Sequence, residues 1–166
     1  MVKTSITINF WKGGHALLSP FVTVPVFLIM AVSVYTDLRR RMIYDWLTLP
    51  GIAYFLVVHA IAHPGQWMTY ALGVIVLGGI SLVMAVVSNG QLGGGDIKLF
   101  ALMGSAVGWQ AGLLIMGLSY IIAGFVAIPL WAIRKRRAAA EKWKEVPLAP
   151  FIAGGTILLY MAAAAV

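Results

Sequence analysis

Two lone aspartates that border long apolar runs are the residues of this chain best placed to do chemistry. Asp96 directly follows Gly93, Gly94 and Gly95, and Asp37 ends the first apolar run. An acidic side chain at a membrane boundary is energetically costly and usually has a function, while glycines allow the backbone of another chain to approach closely. The two acids therefore predict an aspartyl protease that cuts its substrate near a membrane.

Paired carboxylates can hydrolyse a peptide bond without a metal, a cofactor or a covalent intermediate. Two carboxylates held close together cannot both ionise readily, so the pair keeps one proton and titrates as a unit. The ionised member takes a proton from water, and the protonated member polarises the peptide carbonyl. Competing chemistries lack their residues, because the chain has no cysteine and contains neither an HExxH zinc motif nor a GxSxG nucleophile motif.

The composition is that of a membrane protein with several spans. Of its 166 residues, 61% are hydrophobic and 10% are charged, whereas a soluble domain carries about 25% charged residues. No Asp, Glu, Lys or Arg interrupts residues 13–36, 46–95, 99–133 or 146–166. Since a span needs about 20 apolar residues, the first and last runs hold one span each and the second run holds two.

The run at 99–133 fits either one long span or two short ones, and the basic residues decide between them. The clusters Arg39–Arg41 and Arg134–Arg137 would lie on opposite sides of the membrane if the run were one span. With two spans and a turn at 108–112, both clusters lie on the cytoplasmic side, as basic residues prefer. We therefore expect an all-α fold with six transmembrane helices and both termini outside.

This topology gives approximate boundaries and brings the acids to the same depth. A six-span domain at 20–166 follows an outer-face segment at 1–19. The spans are expected at about 20–36, 46–62, 69–88, 96–108, 113–133 and 148–164, with a short loop at 37–45 and a turn near 63–66. Asp45 is expected to cap the second helix. Asp37 and Asp96 then lie at the inner ends of spans one and four, where packing of these spans would bring them together.

The net charge of +7 is interpreted as a topology signal. Ten of the twelve basic residues fall on the cytoplasmic side, and only Lys3 and Lys12 fall outside. Such clusters also attract anionic lipid. Nucleic-acid binding is not expected, because no basic patch is interleaved with aromatic residues on a soluble domain.

Three segments resemble the type IV prepilin peptidases, the aspartyl membrane proteases with a GxGD motif. These segments are Asp37–Ile43, Gly93–Leu99 and Pro147–Phe151. The family has an aspartate that closes a helix before basic residues, a GxGD motif followed by a hydrophobic residue and Lys, and Pro-x-x-Pro-Phe before the last span. GxGD alone is a weak signal, but the three features together are specific, and the resemblance runs from about residue 20 to the end.

The resemblance implies removal of a short basic leader from type IV pilin-like or archaeal flagellin-like precursors. Cleavage would occur at the cytoplasmic face of a prokaryotic cytoplasmic membrane, with the pilin-like precursor as partner. By position, Asp37 and Asp96 match the catalytic pair. Residues Gly93, Gly94 and Gly95 would accommodate the extended scissile segment, and Lys98 would either line the site or extend to the interface.

The chain departs from the family pattern in two respects. Tyr44 stands where many members have Pro, and Asp45 stands where many have Asn. Larger members also carry a cytoplasmic insert, often with a four-cysteine zinc site, and methylate the new N-terminus. Because the segment between Asp37 and Asp45 is short and cysteine is absent, we expect peptidase activity without methyl transfer, as in the short members that serve tight-adherence pili.

Other interpretations stay open at this point. A small transporter or channel could use the two acids as a proton or cation site, although such sites usually lie near the midplane between repeats, and no repeat is visible here. An inactive scaffold for pilus assembly is a third possibility. For the single residues, Asp96 could be only a helix cap, Asp37 could pair with Arg39–Arg41, and Asp45 could be the catalytic acid instead of Asp37.

Overall fold

The structure, a computed structural model, describes residues 19–89, 92–136 and 148–165. In these residues the regular elements are all α-helices. They are α1 (Pro20–Arg40), α2 (Asp45–Ala62), α3 (Trp67–Val87), α4 (Gly94–Arg136) and α5 (Ala149–Ala164). The predicted all-α class is confirmed. The predicted outer-face segment falls almost wholly outside the described residues.

Four helices of the described chain are long and apolar enough to cross a membrane. They are α1, α2, α3 and the part Gly94–Ala127 of α4. Helix α5 is also apolar but has only 16 residues. The chain is therefore a multi-pass membrane protein, while the number of six crossings stays a prediction.

Helix α4 folds back on itself at Gly108. The φ of 81° and ψ of 171° at Gly108 are not helical, and glycine adopts a positive φ at little cost. The rings of Phe100 and Tyr120, on either side of the break, have centroids 5.8 Å apart, whereas a straight helix would separate these positions by about 30 Å. The turn predicted at 108–112 is therefore correctly placed but too long, because the helix resumes at Trp109.

A buried histidine stabilises the helix end that the break creates. Carbonyl groups in the last turn before a break have no N–H partner in their own helix. The His59 side chain, which is 1% exposed, donates from Nε2 to the Ala106 carbonyl oxygen at 3.0 Å. Its ring stacks on Tyr70 with centroids 3.5 Å apart. Helices α2 and α3 thus hold the reversal of α4 in place.

Helix α3 and the first half of α4 meet at a pair of glycines, which we call the glycine crossing. A Cβ added to Gly73 would lie 2.2 Å from the Gly104 carbonyl oxygen, and a Cβ added to Gly104 would lie 2.2 Å from the Gly73 carbonyl oxygen. Small residues allow such close backbone approach between membrane helices. After the break, Gly112 packs on Leu77, so α3 lies against both halves of α4.

The helix boundaries beside the acids differ from the expected ones. Helix α1 continues to Arg40, so Asp37 lies in its last turn rather than in the loop. Basic residues stabilise the C-terminal end of a helix, and Arg41 then ends it with a φ of 53°. Helix α4 begins at Gly94 rather than at Asp96. The segment between the predicted fifth and sixth spans, residues 134–147, lies mostly outside the described residues.

Candidate active site

Asp37 is the polar end of the buried stripe of α1. The stripe consists of Val22, Val26, Met30, Ser33 and Asp37. Spacings of three and four residues keep these side chains on one helix face. Asp37 is only 7% exposed, so its carboxylate requires a hydrogen-bond donor from the protein.

That donor is the first backbone N–H of α5. Ala149 donates to Asp37 Oδ2 at 3.1 Å across 112 positions of sequence. The residue before α5, Leu148, offers no side-chain cap, and the second helical residue, Pro150, has no N–H to satisfy. Asp37 therefore caps α5 from another helix, at the terminus where the helix dipole favours a negative charge.

Asp96 lies in the first turn of α4 and is half-buried. Its backbone N–H donates to the Gly93 carbonyl oxygen at 3.0 Å. A Cβ added to Gly93 would lie 3.3 Å from Asp96 Oδ2, so the carboxylate borders the glycine backbone. Asp96 is a first-turn residue rather than an N-cap, and the N-terminal end of α4 favours its negative charge in the same way.

Packing between the α1–α2 loop and α4 brings the two acids to one end of the helical bundle. A Cβ added to Gly95 would lie 2.8 Å from Ile43 Cβ. Ile43 follows the last turn of α1, which carries Asp37, and Gly95 adjoins Asp96. We call this region, with Asp37, Asp96 and the loop 41–44 between α1 and α2, the acid end.

Asp45 does not have the role predicted for it. The N-cap position of α2 is Tyr44, and Asp45 is the first helical residue. Asp45 Oδ1 instead forms an ion pair with Lys98 Nζ of α4, at 2.5 Å. The N-cap prediction is therefore wrong. The ion pair is largely exposed and ties the start of α2 to the start of α4.

The arginines after Asp37 contact tyrosines. Arg39 donates to the Tyr35 hydroxyl, and Arg40 donates to the Tyr44 hydroxyl at 2.8 Å. Within the described residues, no ion pair joins Asp37 to these arginines. The simpler interpretation of Asp37, as the partner of an adjacent arginine, is not what the side-chain contacts indicate.

The glycines before Asp96 differ in the space around them. A Cβ added to Gly94 would have no described atom within 4 Å, whereas Gly93 borders Asp96 and Gly95 borders Ile43. Gly93 and Gly94 are also exposed. Open backbone beside an acid suits the predicted approach of an extended peptide. Substrate binding by these glycines and by Lys98 stays a prediction.

Sequence reasoning missed three groups near the acids. They are the Ala149 N–H on Asp37 and two buried hydroxyls, those of Ser33 and Tyr120, that have no hydrogen-bond partner in the described part of the chain. Ser33 had a signal, since it is a polar residue one helical turn before Asp37 in an apolar run. Ala149 lies within the segment Pro147–Phe151 that carries the resemblance, but nothing in that segment indicates a contact with Asp37. Tyr120 had no signal, because its position depends on the reversal of α4.

The profile of the type IV leader peptidase family matches residues 23–128, which include both acids. The chain belongs to the type IV leader peptidase family. Among curated relatives, it is 26% identical over 134 residues to the prepilin leader peptidase/N-methyltransferase of Bacillus subtilis (strain 168), covering 81% of this chain and 52% of that protein. It is 28% identical over 139 residues to the protein of the same name from Aeromonas hydrophila, covering 80% and 47%.

The chain spans about half the length of the curated relatives it matches. No solved structure matches it significantly. Family membership therefore rests on the sequence match, and the arrangement of the acids rests on the contacts described above.

Proposed function

We propose that this leader peptidase relative is a membrane aspartyl endopeptidase that removes the short basic leader from type IV pilin-like precursors, or from archaeal flagellin-like ones. Asp37 and Asp96 activate the attacking water. The observation that carries the proposal is the packing of Ile43 on Gly95, which joins the last turn of α1 to the first turn of α4. Family membership supports the same reaction, since the matched region includes both acids.

The proposed mechanism uses only the two carboxylates and water. The ionised acid takes a proton from water as the oxygen attacks the scissile carbonyl, while the protonated acid donates to the carbonyl oxygen. The tetrahedral intermediate then breaks its C–N bond: the acid that took the proton from water gives it to the leaving amine, and the other acid recovers its proton from the hydroxyl as the carbonyl forms again. The Ala149 N–H fixes one oxygen of Asp37, so that the other oxygen is available for this exchange.

In the membrane we place the acid end at the cytoplasmic face. Arg39, Arg40 and Arg41 adjoin it, and basic residues favour that side. The fold-back at Gly108 supports two crossings for α4, which with α1, α2, α3 and α5 makes six. Both termini are then outside, in the cytoplasmic membrane of a prokaryote.

For the substrate, we assign the exposed backbone at Gly93 and Gly94, next to Gly95, to an extended peptide. A helical precursor hides its peptide bonds, so the scissile segment must unwind before it reaches the acids. The exposed glycines leave room for that strand. Lys98, held by Asp45 at the same end, supplies a positive charge for carbonyl or carboxylate groups of the precursor.

The test is a cleavage assay in membranes with the cognate precursor. Wild type, Asp37→Asn, Asp96→Asn and Asp45→Asn are each co-expressed with the precursor, and the product mass is measured. Wild type and Asp45→Asn should remove the leader. The other two variants should lose activity by at least about a thousandfold, because each lacks one partner in proton transfer.

One further measurement and two possible outcomes make the assay decisive. Thermal melting in detergent should show that the inactive variants are folded, since Asn retains the shape of Asp. If Asp37→Asn cleaved the precursor and Asp45→Asn did not, the catalytic partner of Asp96 would be Asp45 rather than Asp37. No cleavage by folded wild type of a verified cognate precursor would overturn the proposed function.

A further inference from the structure

We propose that the hydroxyls of Ser33 and Tyr120 form an inner polar layer beneath the two acids, in which each hydroxyl positions the carboxylate on its own side. The contact is a direct hydrogen bond or one through a single water, made when substrate assembles the site. This inference rests on the proposed function and adds two positioning residues to it.

Ser33 lies one helical turn before Asp37 on α1, toward the middle of the helical bundle. The two residues are four positions apart on the buried stripe of α1, so their side chains are neighbours on one helix face. Ser33 is fully buried, and none of the residues that the structure describes makes a hydrogen bond with its Oγ. By contrast, the equally buried Ser105 donates to the Leu102 carbonyl oxygen of its own helix at 2.7 Å. The hydroxyl of Ser33 is thus free to serve another group.

Tyr120 has the equivalent place beside Asp96. The two residues stand at equal distances in sequence before and after Gly108, so both lie about 18 Å along their halves of α4 from the break. The Tyr120 ring stacks on Phe100, which is one helical turn beyond Asp96 on the same face. The Tyr120 hydroxyl is buried and has no hydrogen-bond partner among the described residues.

Two such hydroxyls next to the acids require an explanation. A buried polar group without a partner is destabilising, and in a membrane protein no bulk water reaches it to compensate. Each of these hydroxyls lies next to one acid, on the side toward the middle of the helical bundle. An apolar side chain at either position would pack there without that cost. Hydrogen-bond donors at these positions can orient a carboxylate and stabilise its charge as the proton moves.

The test measures kcat and KM of purified full-length protein on a precursor that wild type cleaves. Tyr120→Phe retains the ring and its stacking on Phe100, and Ser33→Ala removes only the hydroxyl. Each change should lower kcat roughly 10- to 100-fold, the factor for a hydrogen bond to a charged group. KM should stay within about twofold, because the precursor does not touch these residues.

Matched controls separate this role from a structural one. Tyr160→Phe removes another buried tyrosine hydroxyl, which lies about 16 Å along α5 from the Asp37 contact. Ser105→Ala removes a buried hydroxyl near the Gly108 break. Both controls should leave kcat within about twofold of wild type.

The outcomes distinguish the inference from the proposed function. Equal kcat for Tyr120→Phe and Tyr160→Phe, and for Ser33→Ala and Ser105→Ala, would overturn the inner layer while cleavage by wild type upholds the peptidase. A matching fall in melting temperature and in the amount of active protein, with kcat per folded molecule unchanged, would also overturn it. Failure of wild type to cleave would instead contradict the proposed function.

Discussion

The acid end and the glycine crossing both depend on glycine, but the glycines do opposite things. At the glycine crossing, Gly73 and Gly104 are closed against one another, and an added Cβ would lie 2.2 Å from backbone oxygen. At the acid end, a Cβ added to Gly94 would meet no described atom within 4 Å, and the described atom nearest to a Cβ added to Gly93 is the Asp96 carboxylate oxygen Oδ2. The first pair holds two helices together, whereas the second set leaves backbone accessible beside an acid.

The Gly108 break and the acid end also differ in the hydrogen bonds of their buried polar groups. Near the Gly108 break, the freed carbonyl of Ala106 receives a hydrogen bond from His59. At the acid end, Asp37 is held through one oxygen by Ala149, and the hydroxyls of Ser33 and Tyr120 have no hydrogen-bond partner among the described residues. The break therefore has its freed backbone carbonyl satisfied, although His59 Nδ1 also has no described partner, whereas the acid end contains two buried hydroxyls without one.

The largest effect on stability is expected at the glycine crossing. Gly73→Ala should destabilise the protein by about 3 kcal/mol or more, because overpacking against backbone has no flexible side chain to yield. Thermal melting in detergent and the yield of folded protein measure this. Gly117→Ala is the control, since an added Cβ there would meet no described atom within 4 Å. Equal melting temperatures for Gly73→Ala and Gly117→Ala would contradict the close backbone contact between Gly73 and Gly104.

A smaller effect, on both stability and cleavage, is expected at Gly95. Its added Cβ would lie 2.8 Å from Ile43 Cβ, so Gly95→Ala should displace the α1–α2 loop and destabilise by about 1–2 kcal/mol. Cleavage should fall as well, because that contact helps to set the acids relative to each other. In Gly94→Ala, stability should stay close to wild type. If Gly95→Ala melted and cleaved like wild type, the contact between Gly95 and Ile43 would not help to position the acids.

An effect on activity without loss of stability is expected at Gly93. The added Cβ would lie 3.3 Å from Asp96 Oδ2, so Gly93→Ala should shift the carboxylate by a few tenths of an ångström. We expect a several-fold fall in kcat at an unchanged melting temperature, since catalysis is sensitive to such displacement. If activity and stability fell together instead, Gly93 would belong with the structural glycines.

The smallest effect is expected at the ion pair of Asp45 with Lys98. The side chains of Lys98 and Asp45 are 39% and 57% exposed, and exposed ion pairs contribute about 0–1 kcal/mol. Asp45→Asn should therefore change stability by less than about 1 kcal/mol and leave cleavage within about twofold. Melting and cleavage assays at low and high salt measure both quantities. A loss of cleavage comparable to that of Asp37→Asn would show that Asp45 does chemistry.

The fold was largely predictable because its signals are local. Charge-free runs predict the helices, the turn predicted near 63–66 is confirmed, and the reversal at Gly108 falls within the turn predicted at 108–112. The predicted boundary at Asp37 is wrong, because Asp37, Arg39 and Arg40 form the last turn of α1. The predicted role of Asp45 is wrong because α2 begins one residue earlier than expected, with Tyr44 at the N-cap position. The ion pair of Asp45 with Lys98 had no local signal, since the two residues are 53 positions apart.

The candidate site was predictable only in part. The two aspartates stand out in sequence because acids are rare in apolar chains. The capping of α5 by Asp37 and the placement of Tyr120 beside Asp96 arise from contacts between distant segments. No local pattern around Ala149 or Tyr120 encodes them, so only the packed helices reveal these neighbours.

The convergence of Asp37 and Asp96 is the central claim, and site-directed crosslinking tests it most directly. The chain has no cysteine, so Asp37→Cys with Asp96→Cys creates a single pair of thiols. Asp45→Cys with Lys98→Cys is the positive control, because these side chains are in contact. Asp96→Cys with Gln110→Cys, across the bundle, is the negative control.

We predict that a short bifunctional thiol reagent, applied in membranes with precursor present, links positions 37 and 96 as readily as positions 45 and 98. Positions 96 and 110 should stay unlinked. If the control pair at 45 and 98 crosslinks while the pair at 37 and 96 does not, the two acids do not meet, and a shared catalytic role for them is contradicted.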